Sequence, residues 1–245
     1  MDRHLTSAQL KSRAKGQLLG KYGTLIPVVI IVQIIVSVLT FMTTFALDTR
    51  TIPGLVLQFL IEILIQLFAG IFVAGQAYLY LKVSCGGNIN VSDVFYGFTH
   101  HPDKAILIQL FQLLLGLAFF VPFIICFIIW SITDAAILVL FLSITFCIGL
   151  VGCTVLSLMY SQSFFVLLDF PEFSAIECMR FSRRIMKGSK ARRFYLEISF
   201  VPLYLLGFLT CCIGLLFLIP YINATYSNFY LELMDYRNKH QNQNA

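Results

Sequence analysis

The sequence predicts an all-α integral membrane protein, a helical bundle of about six transmembrane helices with amphipathic helices at the N-terminus and on the cytoplasmic side. Of its 245 residues, 59% are hydrophobic and only 12% are charged. Soluble domains carry about 25% charged residues. The apolar residues also gather in runs long enough, at about 20 residues, for a helix to cross the hydrocarbon layer.

The net charge and the cysteines argue against a nucleic-acid-binding protein and against a metalloprotein. The net charge of +5 is explained by the Lys and Arg excess that marks cytoplasmic loops, and no nucleic-acid motif accompanies it. Most of the seven cysteines lie in apolar runs, where a free cysteine behaves as a small hydrophobe. No cysteine pair has metal-ligand spacing. We therefore expect no nucleic-acid partner, no metal and no cofactor.

The N-terminal segment, residues 1–24, predicts an amphipathic helix at the cytoplasmic interface, because basic side chains are interspersed with leucines. It is too charged to be the core of a signal peptide. The remaining residues, 25–245, form a single transmembrane domain. Its first span covers about residues 25–47 and its second about residues 54–83.

A polar loop leads to the third span, at about residues 105–130. The fourth apolar run, about residues 135–168, is longer than a straight span requires. Gly149 and Gly152 lie within it, and glycine is a common site of sharp bends in helices. We predict that the run bends at these glycines or that its end projects beyond the bilayer.

Residues 169–190 predict a cytoplasmic loop with one amphipathic helix, from about residue 175 to residue 187. Pro171 ends the preceding span, because proline disfavours helix for the residue before it. Ser174, with Glu177 three residues later, predicts a capping box. Gly188 can take the left-handed conformation after the helix. The structural residues of this loop are Asp169, Pro171, Ser174, Glu177 and Gly188.

Residues 191–236 allow two topologies. A single fifth span that ends near Pro220 leaves the basic C-terminal tail outside the cell. A hairpin that turns at residues 212–214 gives two spans, 191–212 and 215–236, of about 22 residues or roughly 33 Å each. We adopt the hairpin, since it returns the tail to the cytoplasm with the N-terminus and the basic loop.

Several motifs lie in residues 160–234, and more matching positions lie in the first helix. The matching positions are Asp169, Pro171, Ser174, Ala175, Glu177, Ser182, Met186, Gly188, Lys190, Phe194, Ser199, Phe200, Gly214, Pro220, Tyr221, Phe229 and Tyr230, with Lys11, Ala14, Lys15 and Gly20 near the N-terminus. They resemble a family of uncharacterised bacterial membrane proteins, the domain of unknown function 975. The chain is more distantly similar to the membrane domain attached to some glycerophosphodiester phosphodiesterases. The resemblance implies a multi-span fold in a bacterial plasma membrane and implies no chemistry.

Polar side chains interrupt the apolar spans. Glu62 lies between Gln58 and Gln66 on one stripe of the helix. Inserting a carboxylate into the middle of a span costs about 2.5–3.5 kcal/mol of free energy. Either this stripe lines a polar path that binds a cation or a proton, or Glu62 makes an interhelical hydrogen bond. On the same helix, Gly70 and Ala74 form a small-xxx-small pair that permits close helix approach. The intramembrane candidates are Gln33, Gln58, Glu62, Gln66, Gln109, Gln112 and Asn223.

Seven of the 17 Lys and Arg residues lie close together after the fourth run. Each Lys or Arg near an anionic leaflet contributes about 1 kcal/mol of attraction to the membrane surface. This cluster therefore predicts a site for anionic phospholipid headgroups, a phosphorylated ligand or a partner. The alternative is that the cluster sets the topology and adheres to the surface. These candidates are Arg180, Arg183, Arg184, Lys187, Lys190, Arg192 and Arg193.

The sequence contains no catalytic constellation. Asp169 would need a second acid, a metal set or a positioned base, so we expect no enzyme activity. Two function classes remain for a multi-pass plasma-membrane protein with both termini in the cytoplasm. One is a transport or export component, which needs an ion gradient or a partner ATPase because the chain has no ATP-binding loop. The other is a non-transporting organiser, sensor or accessory subunit that engages anionic lipid or a partner membrane protein.

Overall fold

The computed structural model describes residues 5–47, 50–133, 137–210 and 213–243, with side chains as far as residue 239. Within these residues every regular element is a helix. The helices are α1 Ser7–Leu18, α2 Tyr22–Ala46, α3 Ile52–Ser84, a 3₁₀ helix Val91–Phe95, α4 Tyr96–Thr99, α5 Pro102–Thr133, α6 Ile137–Tyr160, α7 Ser163–Asp169, α8 Ala175–Ile185, α9 Lys190–Ile198, α10 Val201–Leu209 and α11 Ile213–Gln243.

Four helical segments are long and apolar enough to cross a membrane: α2, α3, α5, and α6 together with α7. They correspond to the first four predicted spans. Between none and 22% of the residues in their most apolar stretches are buried inside the protein. Such exposed apolar surface is far larger than soluble monomers show. The fold is therefore that of a membrane-associated helical protein.

The last two predicted spans differ from these four. The described part of the fifth predicted span, residues 191–210, lies in two short helices, α9 and α10, with a break at residues 199–200. Residues 215–236 lie within α11, which is continuous and carries many polar side chains. Residues 211 and 212, where the hairpin turn was predicted, lie outside the described residues. The count of six spans stays a prediction.

Most buried side chains lie at one end of the molecule, which we call the packed end. There α1, the 3₁₀ helix, α4, α8 and α9 surround the last turns of α3, the first turns of α5 and the middle of α11. Tyr80, Phe200, Phe229 and Tyr230 are fully buried in this region. The opposite halves of α2, α3, α5 and α6 expose leucine, isoleucine and phenylalanine. A lipid environment suits this division, because those helices satisfy their own backbone hydrogen bonds.

Helix α1 packs on the protein along its apolar face. Thr6 and Gln9 form a capping box at its start, and Leu10 and Leu18 are at most 2% exposed. Lys11 Nζ donates to the carbonyl of Ser199 at 2.9 Å. The amphipathic pattern predicted the helix correctly. Its apolar face is covered by protein, so that face is closed to lipid.

Of the two predictions for the fourth run, a bend at Gly149 or Gly152 is wrong, and a projection of its end beyond the bilayer stays a prediction. Helix α6 continues through Gly149 and Gly152 and ends at Tyr160. Both glycines instead make room for α5: a Cβ on Gly152 would lie 2.1 Å from the ring of Phe119. The break occurs at residues 161–162. There Ser182 Oγ donates to the carbonyl of Met159 and accepts from the amide of Gln162, so α8 satisfies the interrupted backbone.

Candidate functional site

A cavity of about 420 Å³ lies where α5 and α6 meet α3, α7 and α9. Its lining includes hydrogen-bonding side chains from three helices, which is unusual among these apolar segments. We call it the central cavity. Its polar lining residues are Gln109, Gln112, Ser157, Tyr160, Ser161 and Arg193, and its other lining residues are Val73, Gly116, Cys153, Leu156 and Phe164.

Close packing of α3 against α5 positions the first glutamine. A Cβ on Gly70 would lie 2.7 Å from the Cβ of Gln109. The absence of a side chain at Gly70 therefore lets the two helices approach, as the small-xxx-small pair predicted. The second glutamine is held by the break in the fourth run: Gln112 Nε2 donates to the carbonyl of Tyr160 at 3.3 Å. That carbonyl is available because α6 ends there.

Arg193 supplies the positive charge of the lining and is only 5% exposed. Its Nε donates to Glu197 at 3.1 Å, and its guanidinium carbon lies 3.2 Å from the ring centroid of Tyr226. Within the described part of the chain, Nη1 has no hydrogen-bond partner. A buried donor without a partner costs about 1–3 kcal/mol. The guanidinium is thus fixed in place and retains unused donor capacity.

The cavity includes only part of the predicted intramembrane set. Gln109 and Gln112 line it together. Gln33 is exposed and donates to Ser37 on its own helix, while Asn223 lies beside the hydroxyl of Tyr80. The stripe of Gln58, Glu62 and Gln66 lies in the first half of α3 and is absent from the lining.

The structure divides the seven basic candidates into two groups. Arg192 Nη2 donates to Glu232 at 2.7 Å and to the carbonyl of Leu5 at 3.0 Å, so it ties α9 to α11 and to the N-terminus. Arg193 lines the cavity, and Lys190 is half-buried. The exposed members all lie on or directly after α8, and we call them the basic face: Arg180, Arg183, Arg184 and Lys187.

The apolar face of α8 is buried in the protein. Cys178 is fully buried and Met179 is 6% exposed, and both belong to the core that α8 forms with α5 and α7. Burial raises the pKa of the Cys178 thiol to about 11. The basic face therefore projects from a helix that is already anchored to the protein.

The predicted structural residues of the loop take the expected places. Asp169 ends α7 ahead of Pro171, and its carboxylate accepts from the hydroxyl of Tyr230 at 2.6 Å. The amide of Ser174 donates to Glu177 at 2.8 Å, which completes the capping box. These hydrogen bonds lower the pKa of Glu177. Gly188 has a φ of +88°, the left-handed conformation predicted for it.

The family is settled by a comparison of the sequence. A family model described as protein of unknown function (DUF975) matches residues 1–237. The chain belongs to the DUF975 family. No match to it was found among the curated proteins or the solved structures. The more distant similarity, to the membrane domain of glycerophosphodiester phosphodiesterases, stays a prediction.

The sequence analysis missed several residues that line the central cavity. Tyr160 and Ser161 follow Ser157 by three and four residues, a spacing that places all three on one face of a helix. That polar face near the end of an apolar run was a usable signal. The apolar run around Cys153 predicts only a small hydrophobe there, whereas in the structure its thiol donates to the carbonyl of Gly116 at 3.5 Å. Among the described residues no group of three His, Cys, Asp or Glu side chains is arranged to hold a metal.

Proposed function

We propose that this protein is a multi-pass plasma-membrane component of transport or export, and that it holds its solute in the central cavity. The observation that carries the proposal is a polar lining, with a buried arginine, among helices that are otherwise apolar. Well-packed protein interiors leave few voids larger than a water molecule. Sites for small molecules typically enclose about 300–1,000 Å³ and combine apolar walls with a few placed polar groups. The cavity fits this description.

The arrangement of the helices supports a local binding site more than a continuous polar path. Glu62, the most costly polar residue of the apolar spans, is not in the lining. The polar residues of the cavity instead lie near the packed end, where α6 ends and α9 begins. A solute held there is accessible from one side or from the bilayer until the helices move. Active movement of that solute would need an ion gradient or a partner ATPase.

Native mass spectrometry of the full chain, extracted gently from its own membrane, tests the proposal. We expect one non-lipid solute or one specific amphiphile per chain. The matched variant is Gly116→Leu, which adds a side chain inside the cavity where a Cβ has open space, with its nearest neighbour at 4.0 Å. The variant is expected to fold and to lose the bound molecule. Identical spectra for the two proteins, bare or equally loaded, would refute a ligand role for the cavity.

We further propose that both termini face the cytoplasm. The start of α2, the end of α3, the start of α5 and the end of α7 all contact elements of the packed end. The basic face lies at the same end, and cytoplasmic loops carry the excess of Lys and Arg. Reporters fused to each terminus test this: both should be active in the cytoplasm. A C-terminal reporter that is active outside the cell would favour the five-span alternative.

A second function is favoured by the basic face. Its four exposed cations project from a helix whose apolar side is already used by the core. This arrangement supports an organiser or accessory subunit that gathers anionic phospholipid, at about 1 kcal/mol per cation. In mixed micelles of phosphatidylglycerol and phosphatidylcholine, glutamine at all four positions should reduce the phosphatidylglycerol retained. Arg13→Gln with Lys15→Gln, two exposed cations of α1, is the control. Equal losses in both proteins would contradict a specific role for α8.

A further inference from the structure

We propose that the ligand of the central cavity is an amphiphile with an anionic, acceptor-rich head, a carboxylate or a phosphate ester. Its head lies at Arg193 and its hydrocarbon chain runs between α5 and α6 towards Gly116. This inference rests on the proposed function, because it names the chemical class that the same cavity would hold.

The lining determines the charge of the head. Arg193 is a permanent cation, and no carboxylate is among the lining residues. Glu197 neutralises one edge of the guanidinium through Nε, while Nη1 has no partner among the described residues. Nη1 is itself covered in this structure, so the ligand head reaches it through a small shift of the side chains at the polar end and then accepts a short, charge-assisted hydrogen bond. A cationic head would gain no hydrogen bond from the guanidinium, which only donates.

The neighbouring polar groups suit an acceptor-rich head. Gln109 lines the cavity from α5, and the hydroxyl groups of Ser157 and Tyr160 line it from α6. Each of these side chains can donate a hydrogen bond. A head with several oxygens can accept from them and from the guanidinium together. A single hydroxyl head would leave most of these donors without a partner.

The polarity of the lining changes along its length. On α5 it runs from Gln109 to Gly116, seven residues or about 10 Å. On the α6 side it runs back from Tyr160, the last residue of that helix, to Cys153, also seven residues or about 10 Å. Glutamine and serine line the end near α9, and glycine and cysteine line the far end. A small inorganic anion would fill only the first part. An amphiphile fills both, because its chain matches the apolar far end.

The thiol of Cys153 reports on occupancy. Cys153 lines the cavity and is half-buried, while Cys85, directly after α3, is exposed at the packed end. The full chain in dodecyl maltoside micelles, a non-ionic background, is treated with N-ethylmaleimide, and alkylation of both cysteines is followed by peptide mass spectrometry. Three probes are added separately: dodecyl phosphate, 1-dodecanol and inorganic phosphate. We expect dodecyl phosphate to slow the alkylation of Cys153 and to leave that of Cys85 unchanged.

Two substitutions test the head. Arg193→Gln should raise the half-protecting concentration of dodecyl phosphate by about tenfold or more, since hydrogen bonds to a charged group contribute about 1.5–3 kcal/mol. Arg193→Lys, which keeps the charge but not the planar fork, should have an intermediate effect. Arg13→Gln is the matched control, because it removes an exposed cation of α1 that lies outside both the cavity and the basic face and should change nothing. Thermal unfolding of each variant establishes that it is folded.

If the arginine variants do not fold, a variant at the other end of the cavity still tests the inference. Gly116→Leu fills the tail end, and native mass spectrometry should show that it loses dodecyl phosphate while the wild type retains it.

The outcomes separate this inference from the proposed function. If 1-dodecanol protects Cys153 as well as dodecyl phosphate does, the anionic head is wrong and the cavity remains a ligand site. If inorganic phosphate alone protects equally, the hydrocarbon chain is wrong. If no probe protects Cys153, the amphiphile class is overturned, and the proposed function then depends on the molecule retained from the native membrane.

Discussion

Replacing Gly75 by alanine is expected to destabilise the protein, although alanine is the better helix former. Gly75 lies in α3, where the 3₁₀ helix crosses it. A Cβ added to Gly75 would lie 1.8 Å from the carbonyl oxygen of Val94. The two backbones would have to move apart by more than about 1 Å to reach an ordinary contact. Val94 is fully buried in the core, so this movement disturbs its packing.

The size of the effect follows from two opposing terms. Alanine in a helix interior gains up to about 1 kcal/mol over glycine, while overpacking a core costs about 1–3 kcal/mol or more. The close contact involves rigid backbone, so the upper end of this cost, about 3 kcal/mol, applies and the net loss of stability is about 2 kcal/mol. At about 2–4 °C per kcal/mol for a chain of this size, the unfolding midpoint should fall by roughly 4–8 °C.

The assay is thermal unfolding of the purified full chain in one mild detergent. Gly16→Ala is the matched control, because Gly16 lies in α1 and an added Cβ meets nothing within 4 Å. The same chemical change should therefore stabilise the protein slightly at Gly16 and destabilise it at Gly75. If Gly75→Ala unfolds at the wild-type temperature or above it, the close contact between α3 and the 3₁₀ helix is refuted.

Three further predictions concern the packed end. Ser174→Ala should lower the free energy of unfolding by about 1 kcal/mol, as the loss of an N-cap usually does. The pKa of Glu177 is lowered from 4.5, so the stabilisation from this capping box should be complete at neutral pH and decline as the pH falls below 4.5. Unfolding curves measured at several pH values test this. N-ethylmaleimide at pH 7.5 should alkylate the exposed Cys85 much faster than the buried Cys178, whose pKa is raised to about 11; equal rates would show that α8 is undocked. Glu232→Gln should lower stability by about 2–3 kcal/mol, because the carboxylate is only 8% exposed and its partner guanidinium loses its counter-ion; an unchanged unfolding midpoint would contradict this.

The sequence by itself determined the features that repeat along one helix. Hydropathy predicted α2, α3, α5 and the combined run of α6 and α7, because about 20 apolar residues are enough to identify a span. Local signals also placed the ends of α8. A capping box and a left-handed glycine act over three or four residues, so no distant contact was needed to predict them.

Tertiary structure decided which of these features meet. Gln109, Gln112 and Arg193 were predicted in two separate sets and line one cavity. The break at residues 161–162 was placed wrongly because it depends on Ser182, which is supplied by another helix. Periodicity indicates which face of a helix is polar or apolar, but the rotation and the contacts of the neighbouring helices decide what covers that face. For that reason the apolar face of α1 was predicted, while its burial against α9 and α11 followed only from the packed structure.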